Sequence, residues 1–296
     1  MRICVNFSVN AVGGGKYHAY KFLHQYLLNP KDNYYFVLNN NHELSEWPPN
    51  YIKVRSPAKS LNARKQISHY VKTNRIDLVY TMAGPSYVNF SCKHVIGLSN
   101  AWLLSKNHSL LFQLFPLHKA LTEMFRIKWQ RLNIDRTASM YIFQSITSLE
   151  EFTNDFVFMR KKSCVVENAH FYSKESNLDP DIDIAIMGSF YAHKGISDIY
   201  EYLYYNLNDN FNRKFSFFVP DEAWKKITKR IGRKNCFINM GIYLPENEAE
   251  ILKQANLVIL PSFLETVSGT ALNAGLVGAK VFARDTAFNK EIFGQK

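Results

Sequence analysis

"NLVILPSFLETVSGTALNAGLVGAKVFA" (Asn256–Ala283) decides the fold. Asn256–Leu260 is an apolar run of strand length, closed by Pro261 and a turn. Gly269–Val277 then reads as a small-residue helix, and Ala279–Ala283 as the next strand. The turn carries a lone carboxylate, Glu265, and Ser268, Gly269 and Thr270 begin the helix. Backbone N–H groups at a helix start are unsatisfied donors, able to hold a diphosphate. A carboxylate beside them repels phosphate, so Glu265 faces hydroxyls, which sugars offer in pairs to carboxylate oxygens. Asn273, one helical turn beyond Gly269, points toward the same end. The competing reading makes Glu265 a helix-terminus acid that serves the dipole alone.

The same alternation runs outward through the chain. Arg2–Phe7, Tyr34–Leu38, Asp77–Thr81, His94–Leu98, Met140–Phe143 and Cys164–Glu167 read as short apolar strands. Ala19, Phe22, Leu23, Tyr26 and Leu27 fall at the spacing of an amphipathic helix, and "SLEE" (Ser148–Glu151) opens another as a capping box. A polar stretch, "HFYSKESNLDPDID" (His170–Asp183), breaks the pattern. Strands then resume at Ile182–Met187, Phe215–Val219 and Asn235–Asn239, with helices over Gly195–Tyr205, Asp221–Gly232 and Pro245–Gln254. Short apolar strands alternating with helices indicate parallel α/β sheets. The expected architecture is two doubly wound, Rossmann-like domains, 1–170 and 183–296, joined by a linker at 171–182. Two such domains facing each other make a cleft lined by loops from the strand C-terminal ends.

Composition narrows the function classes. An apolar fraction of 47% and an aromatic fraction of 15% fill real cores, which excludes disorder. The four cysteines lie far apart without metal spacing, so they read as reduced core residues of a cytoplasmic protein. No signal peptide and no membrane-spanning run are evident. The net charge of +11 favours an anionic partner. Nucleic acid is set aside, because no helix-turn-helix, zinc-finger or stacking-sheet signature accompanies the charge. Basic residues concentrate in Lys59–Arg75 and Phe125–Arg136. Both suit a solvated helix face, and the second, with Phe125, Ile127, Trp129 and Leu132 interleaved, also suits an anionic membrane surface.

After the first strand comes a glycine loop, "AVGGGK" (Ala11–Lys16). Without Cβ atoms, Gly13, Gly14 and Gly15 let backbone N–H groups approach an anion, and the following helix adds its dipole. A tight turn with no ligand is the plainer alternative. A dinucleotide fingerprint fails, since His18 replaces its glycine and "NNN" (Asn39–Asn41) replaces its acid. A P-loop fails as well, since Tyr17 follows Lys16 where Ser or Thr is required.

Pro261, Ser262, Glu265, Ala274, Gly278 and Val281 stand in the register of the donor-binding signature of glycosyltransferase family 4, of the GT-B fold, which this chain resembles. The glycine loop, "KG" at Lys194–Gly195, "VVEN" ending at Asn168, and the segment Ala83–Leu104, similar to the acceptor domain of cell-surface polysaccharide members, extend the resemblance over essentially the whole chain. The resemblance implies a retaining transfer of sugar from a nucleotide diphosphate sugar to a growing surface polysaccharide or lipid-linked glycan, with no essential metal. It implies that Lys194 pairs with the donor diphosphate, Glu265 positions the donor sugar, and Gly14 and Gly15 close onto the diphosphate. The expected protein is a cytoplasmic enzyme, and with a lipid-linked acceptor its basic, aromatic first domain would suit docking on anionic headgroups at the inner face of the membrane.

Departures from the family pattern are specific. Asn273 stands where a second glutamate grips the ribose, losing charge-assisted strength. Ser189 stands where an arginine meets the diphosphate, and Ser99 or Asn100 where a cleft histidine is found. The chain stops at "EIFGQK" (Glu291–Lys296), where family members continue, so the second domain is expected to be truncated and its closure loosened. These departures support a second hypothesis, a catalytically degenerate partner subunit in polysaccharide assembly. Retention of Glu265, Lys194 and the glycine loop opposes it.

Overall fold

Alternating apolar residues in short strands, each followed by a helix-length segment, leave both faces of a sheet needing cover. In this computed structural model, which describes residues 1–11, 13–167, 182–208, 211–243 and 247–294, helices supply that cover. The chain divides into two compact units, Met1–His108 with His118–Glu167, and Ser109–Leu117 with Asn168–Lys296.

The first sheet draws on β1 (Ile3–Asn6), β2 (Tyr34–Asn39), β3 (Tyr51–Val54), β4 (Leu78–Thr81), β5 (Lys93–Gly97), β6 (Met140–Phe143) and β7 (Ser163–Val165). Between them in the chain run the helices α1 (Gly13–Leu28), α2 (Leu61–Thr73), α3 (His108–Leu114), α4 (Leu117–Leu132) and α5 (Ile146–Asp155). The strands lie in the order β3-β2-β1-β4-β5-β6-β7, all parallel. Neighbouring residues sort to opposite faces. Val5, Phe36 and Leu38 pack with Ala19, Leu23 and Tyr26 of α1. Cys4 and Val37 pack with Ala63, Ile67 and Val71 of α2. Cover on both faces is the usual condition of a parallel sheet.

The second sheet is built from β8 (Ile182–Ile186), β9 (Phe215–Phe217), β10 (Phe237–Asn239), β11 (Ala255–Leu260) and β12 (Val281–Ala283). Its helices are α6 (Ile196–Asn206), α7 (Asp221–Ile231), α8 (Glu248–Gln254), α9 (Gly269–Leu276) and α10 (Ala287–Phe293). The order is β10-β9-β8-β11-β12, again parallel throughout. One face joins Ile184, Ile186 and Phe217 to Ile196 and Tyr200, and the other joins Ala185, Val258 and Leu260 to Ala271 and Ala274. Each buried Leu, Ile or Phe contributes about 1.5–3 kcal/mol relative to exposure.

Several expectations are corrected. The glycines do not form a free loop, because Gly13–Gly15 are the first turn of α1 itself. The capping box at Ser148 is displaced, since α5 starts at Ile146 and Ser145 is its cap, accepting the Ser148 N–H at 3.0 Å. β3 and α10 were not anticipated. The expected linker falls, in its residues 171–181, outside the described residues, as does Asn168, while Ile182 opens β8. All four cysteines are free, but only Cys4 is a buried one.

Candidate functional site

In each sheet the strand order reverses at one point, between β1 and β4 in the first and between β8 and β11 in the second. Loops leaving the sheet on opposite sides of such a point open a crevice at the strand C-terminal ends, where ligands of open α/β sheets bind.

In the second unit, the two loops at the reversal carry Ser189, Lys194 and Glu265. A single-turn helix, Ala192–Lys194, follows β8 and stops at Gly195, whose φ of 69° is left-handed. A Cβ at Gly195 would lie 2.4 Å from the Pro261 carbonyl oxygen and 3.2 Å from the Phe263 ring, so only glycine lets the loops meet. The Phe263 N–H also donates to the His193 carbonyl at 2.8 Å. Arg284, after β12, lies 3.7 Å over the Phe263 ring and donates to the Pro261 carbonyl at 3.1 Å.

This packing brings Lys194 and Glu265 together. The lysine ammonium donates to Glu265 Oε1, which also accepts from Ser262 Oγ at 3.1 Å. The pair is 20% and 11% exposed, sheltered enough for the charges to feel each other strongly. Next to Lys194, burial and then the lysine charge lower His193 to about 4, so its imidazole is neutral near pH 7. Ser189 is exposed, and its carbonyl accepts the Tyr191 N–H at 2.8 Å.

Ser268 is the N-cap of α9 rather than its first residue, with its Oγ accepting the Ala271 N–H at 3.2 Å. The Gly269 and Thr270 N–H groups have no acceptor among the described residues, and the space a Cβ on Gly269 would enter is open. The side chains of Thr270 and Asn273 turn to a residue that sequence reasoning missed, Glu248 of α8. Glu248 accepts from Thr270 Oγ1 at 2.7 Å, from the Tyr243 hydroxyl at 2.9 Å, and from Asn273 Nδ2. Burial and this carboxylate push the Tyr243 hydroxyl up from its ordinary range, so it remains a donor. Nothing in the sequence marks Glu248, which lies 25 residues from Asn273.

Gly14 and Gly15 belong to the first unit, at its own reversal point. A Cβ on Gly14 meets nothing within 4 Å, while one on Gly15 would meet Asn10 Nδ2 at 3.2 Å. Buried polar residues hold this turn. Asn10 Nδ2 donates to the Gly15 carbonyl at 3.1 Å, His42 Nε2 to the Asn10 carbonyl at 2.7 Å, and Asn39 Nδ2 to the Ser8 carbonyl at 2.6 Å. Asn39 ends β2 and His42 follows it, and Asn39 opens the "NNN" run, whose one visible signal was the absence of an acid. Among the described residues no group of three or more His, Cys, Asp or Glu could hold a metal ion.

No protein-family model matches the chain, nor does any curated protein sequence. Solved structures do. Sucrose-phosphate synthase from Thermosynechococcus elongatus is 14% identical, with a TM-score of 0.69 over 96% of this chain and 81% of that one. WaaG, a glycosyltransferase involved in lipopolysaccharide biosynthesis, is 12% identical, with a TM-score of 0.64 over 97% and 82%. S. aureus TarM, solved as a point mutant with fondaparinux, alpha-GlcNAc-glycerol and UDP, is 12% identical, with a TM-score of 0.58 over 79% and 47%. The parallel α/β architecture of this chain is therefore that of the GT-B glycosyltransferases.

Proposed function

We propose that this chain transfers a sugar, with retention of configuration, from a nucleotide diphosphate sugar to a surface polysaccharide or lipid-linked glycan. The observation that carries this reading is the convergence of Lys194, Glu265 and the open N-terminus of α9 at the reversal point of the second sheet. As the bond from the anomeric carbon to the diphosphate breaks, negative charge develops on the leaving oxygen. Lys194 and the Gly269 and Thr270 N–H groups are assigned to stabilise it, with no metal required. Glu265 is assigned to the sugar hydroxyls. A new bond forms from the anomeric carbon to the acceptor oxygen, and the acceptor's hydroxyl proton is released. The Gly14–Gly15 turn is assigned backbone contacts with phosphate. A neighbour of this fold solved with UDP and GlcNAc, the pneumococcal O-GlcNAc transferase GtfA, supports the donor class.

Calorimetric titration with UDP and GDP tests the reading. One of the two is expected to bind, and Lys194→Ala to weaken it by about tenfold, the value of one charge-assisted bond. Glu265→Gln removes the lysine's internal partner, so nucleotide binding is expected to persist or strengthen. Turnover of the matching sugar donor is expected to fall by about a hundredfold or more. Binding of neither nucleotide overturns the proposal. Binding without turnover of any donor favours the partner-subunit alternative.

A peripheral membrane contact belongs to the same proposal. Leu117, Leu121, Phe125, Trp129 and Leu132 form one stripe of α4 and are 44–74% exposed, while Ala120 and Ile127 bury the opposite side. At its end lies an open cavity of about 450 Å³, whose lining includes Lys128, Arg136 and Arg131, the last paired with Asp155 at 2.6 Å. An apolar ridge beside cations suits anionic headgroups. No helix among the described residues is long and apolar enough to cross a membrane.

A further inference from the structure

Glu248 has a definite consequence for what its neighbours offer a ligand. A carboxylate has no proton to donate, so the Asn273 amide must turn its nitrogen toward Glu248. That leaves the Asn273 carbonyl oxygen as the free end of the side chain, with no partner among the described residues. Thr270 is committed in the same way. Its proton goes to Glu248 Oε1 at 2.7 Å, so its oxygen presents lone pairs only. The Tyr243 hydroxyl completes the set at 2.9 Å. The start of α9 is thus divided. Backbone N–H donors stand at Gly269 and Thr270, and side-chain acceptors stand from Thr270 to Asn273, about one 5.4 Å turn along.

A nucleoside diphosphate has the matching polarity, with acceptor oxygens on its phosphates and, next to them, a ribose whose two hydroxyls donate. We infer that Glu248 is a positioning residue that locks the Asn273 amide with its oxygen toward the ligand, making this end of the site a reader of ribose hydroxyls. Glu248 then supplies from α8, at one remove, the negative charge that Asn273 itself lacks. The inference rests on the donor-site reading above, since it places the diphosphate at the start of α9.

The test is calorimetry with whichever of UDP or GDP binds, beside its 2′-deoxy and 3′-deoxy analogues, for the wild-type chain, Glu248→Gln, Asn273→Ala and the double variant. The wild-type chain is expected to lose about fivefold or more in affinity when one of the hydroxyls is removed. In Glu248→Gln the new amide can donate as well as accept, so the lock on Asn273 is released. In that variant the full nucleotide is expected to weaken by about fivefold while the penalty for the missing hydroxyl disappears. Asn273→Ala should do the same, and the double variant should lose no more than Asn273→Ala alone, because Glu248 acts through Asn273. Persistence of the hydroxyl penalty in Glu248→Gln, or losses that add in the double variant, overturns the inference. Should Glu248→Gln fail to fold, a penalty that survives in Asn273→Ala overturns it equally. If the wild-type chain binds neither nucleotide, the donor-site reading falls and takes this inference with it. If Lys194→Ala weakens binding while Glu248→Gln leaves the hydroxyl penalty intact, this inference alone falls.

Discussion

Gly195 shows how one residue sets the geometry of its neighbours. Its left-handed φ and the 2.4 Å approach of the Pro261 oxygen leave no room for a methyl group. Gly195→Ala is expected to lower the stability of the second unit by about 2 kcal/mol or more, from left-handed strain plus the clash. Nucleotide affinity should fall too, because the substitution moves the loop that carries Lys194. Urea denaturation followed by a tryptophan or far-UV signal, with calorimetry on the folded fraction, checks both. At this scale the sequence was partly legible. Glu265 and the start of α9 stood out as candidates because loops after strands are where such chemistry sits, and Lys194 only through the family resemblance. That Lys194 and Glu265 bond to each other could not be read, since it depends on an approach between loops 66 residues apart in the chain (Gly195 and Pro261). Glu248 was invisible for a similar reason. Its three partners come from the residues before α8 and from α9, and no spacing rule connects them.

Helix α4 inverts the usual rule for a surface helix. A solvated face is expected to be polar, yet here the side opposite Ala120 and Ile127 is a ridge of leucine, phenylalanine and tryptophan. Phe125→Glu with Trp129→Glu is expected to abolish cosedimentation with vesicles containing phosphatidylglycerol, leaving nucleotide binding in solution unchanged. Neutral phosphatidylcholine vesicles should retain little of even the wild-type chain, because Lys128 and Arg136 then lack an anionic counterpart, Arg131 being paired with Asp155. Retention of the double variant on anionic vesicles would sink the membrane contact. Most elements were legible from apolar periodicity, and the misses have local causes. β3 is "YIKV", with exposed Tyr51 and Lys53 on a sheet edge, so its apolar signal is halved. α5 begins before its apparent capping box because Ser145 precedes two residues, Ile146 and Thr147, that already take helical form. The triple glycine suggested a loop by propensity. Buried asparagines and His42 hold it instead as the first turn of α1.

Each unit has its own sheet with buried cores packed against it, so each carries the means to unfold cooperatively. Differential scanning calorimetry is expected to resolve two transitions. The bound nucleoside diphosphate should raise one of them, by about 2.7 kcal/mol of added stability at a hundred times its Kd. The raised transition should be the one that Gly195→Ala lowers. A nucleotide that shifts the other transition alone would contradict the placement of the donor site in the second unit. The two parallel sheets were legible as a class from alternation. Their strand order came only with the structure, because periodicity is silent about which neighbour a strand chooses.

The ridge on α4 also governs how these molecules treat one another. With a net charge of +11, chains repel at low ionic strength and the ridges are held apart. Salt shortens that repulsion to about 10 Å at 0.1 M and about 3 Å at 1 M, while the attraction between apolar surfaces does not weaken. Five large side chains in one exposed row can then find each other, so added salt is expected to drive this protein toward self-association, a shift that sedimentation or light scattering reads. Its colloidal behaviour would then be set by the same few residues proposed to meet a lipid surface.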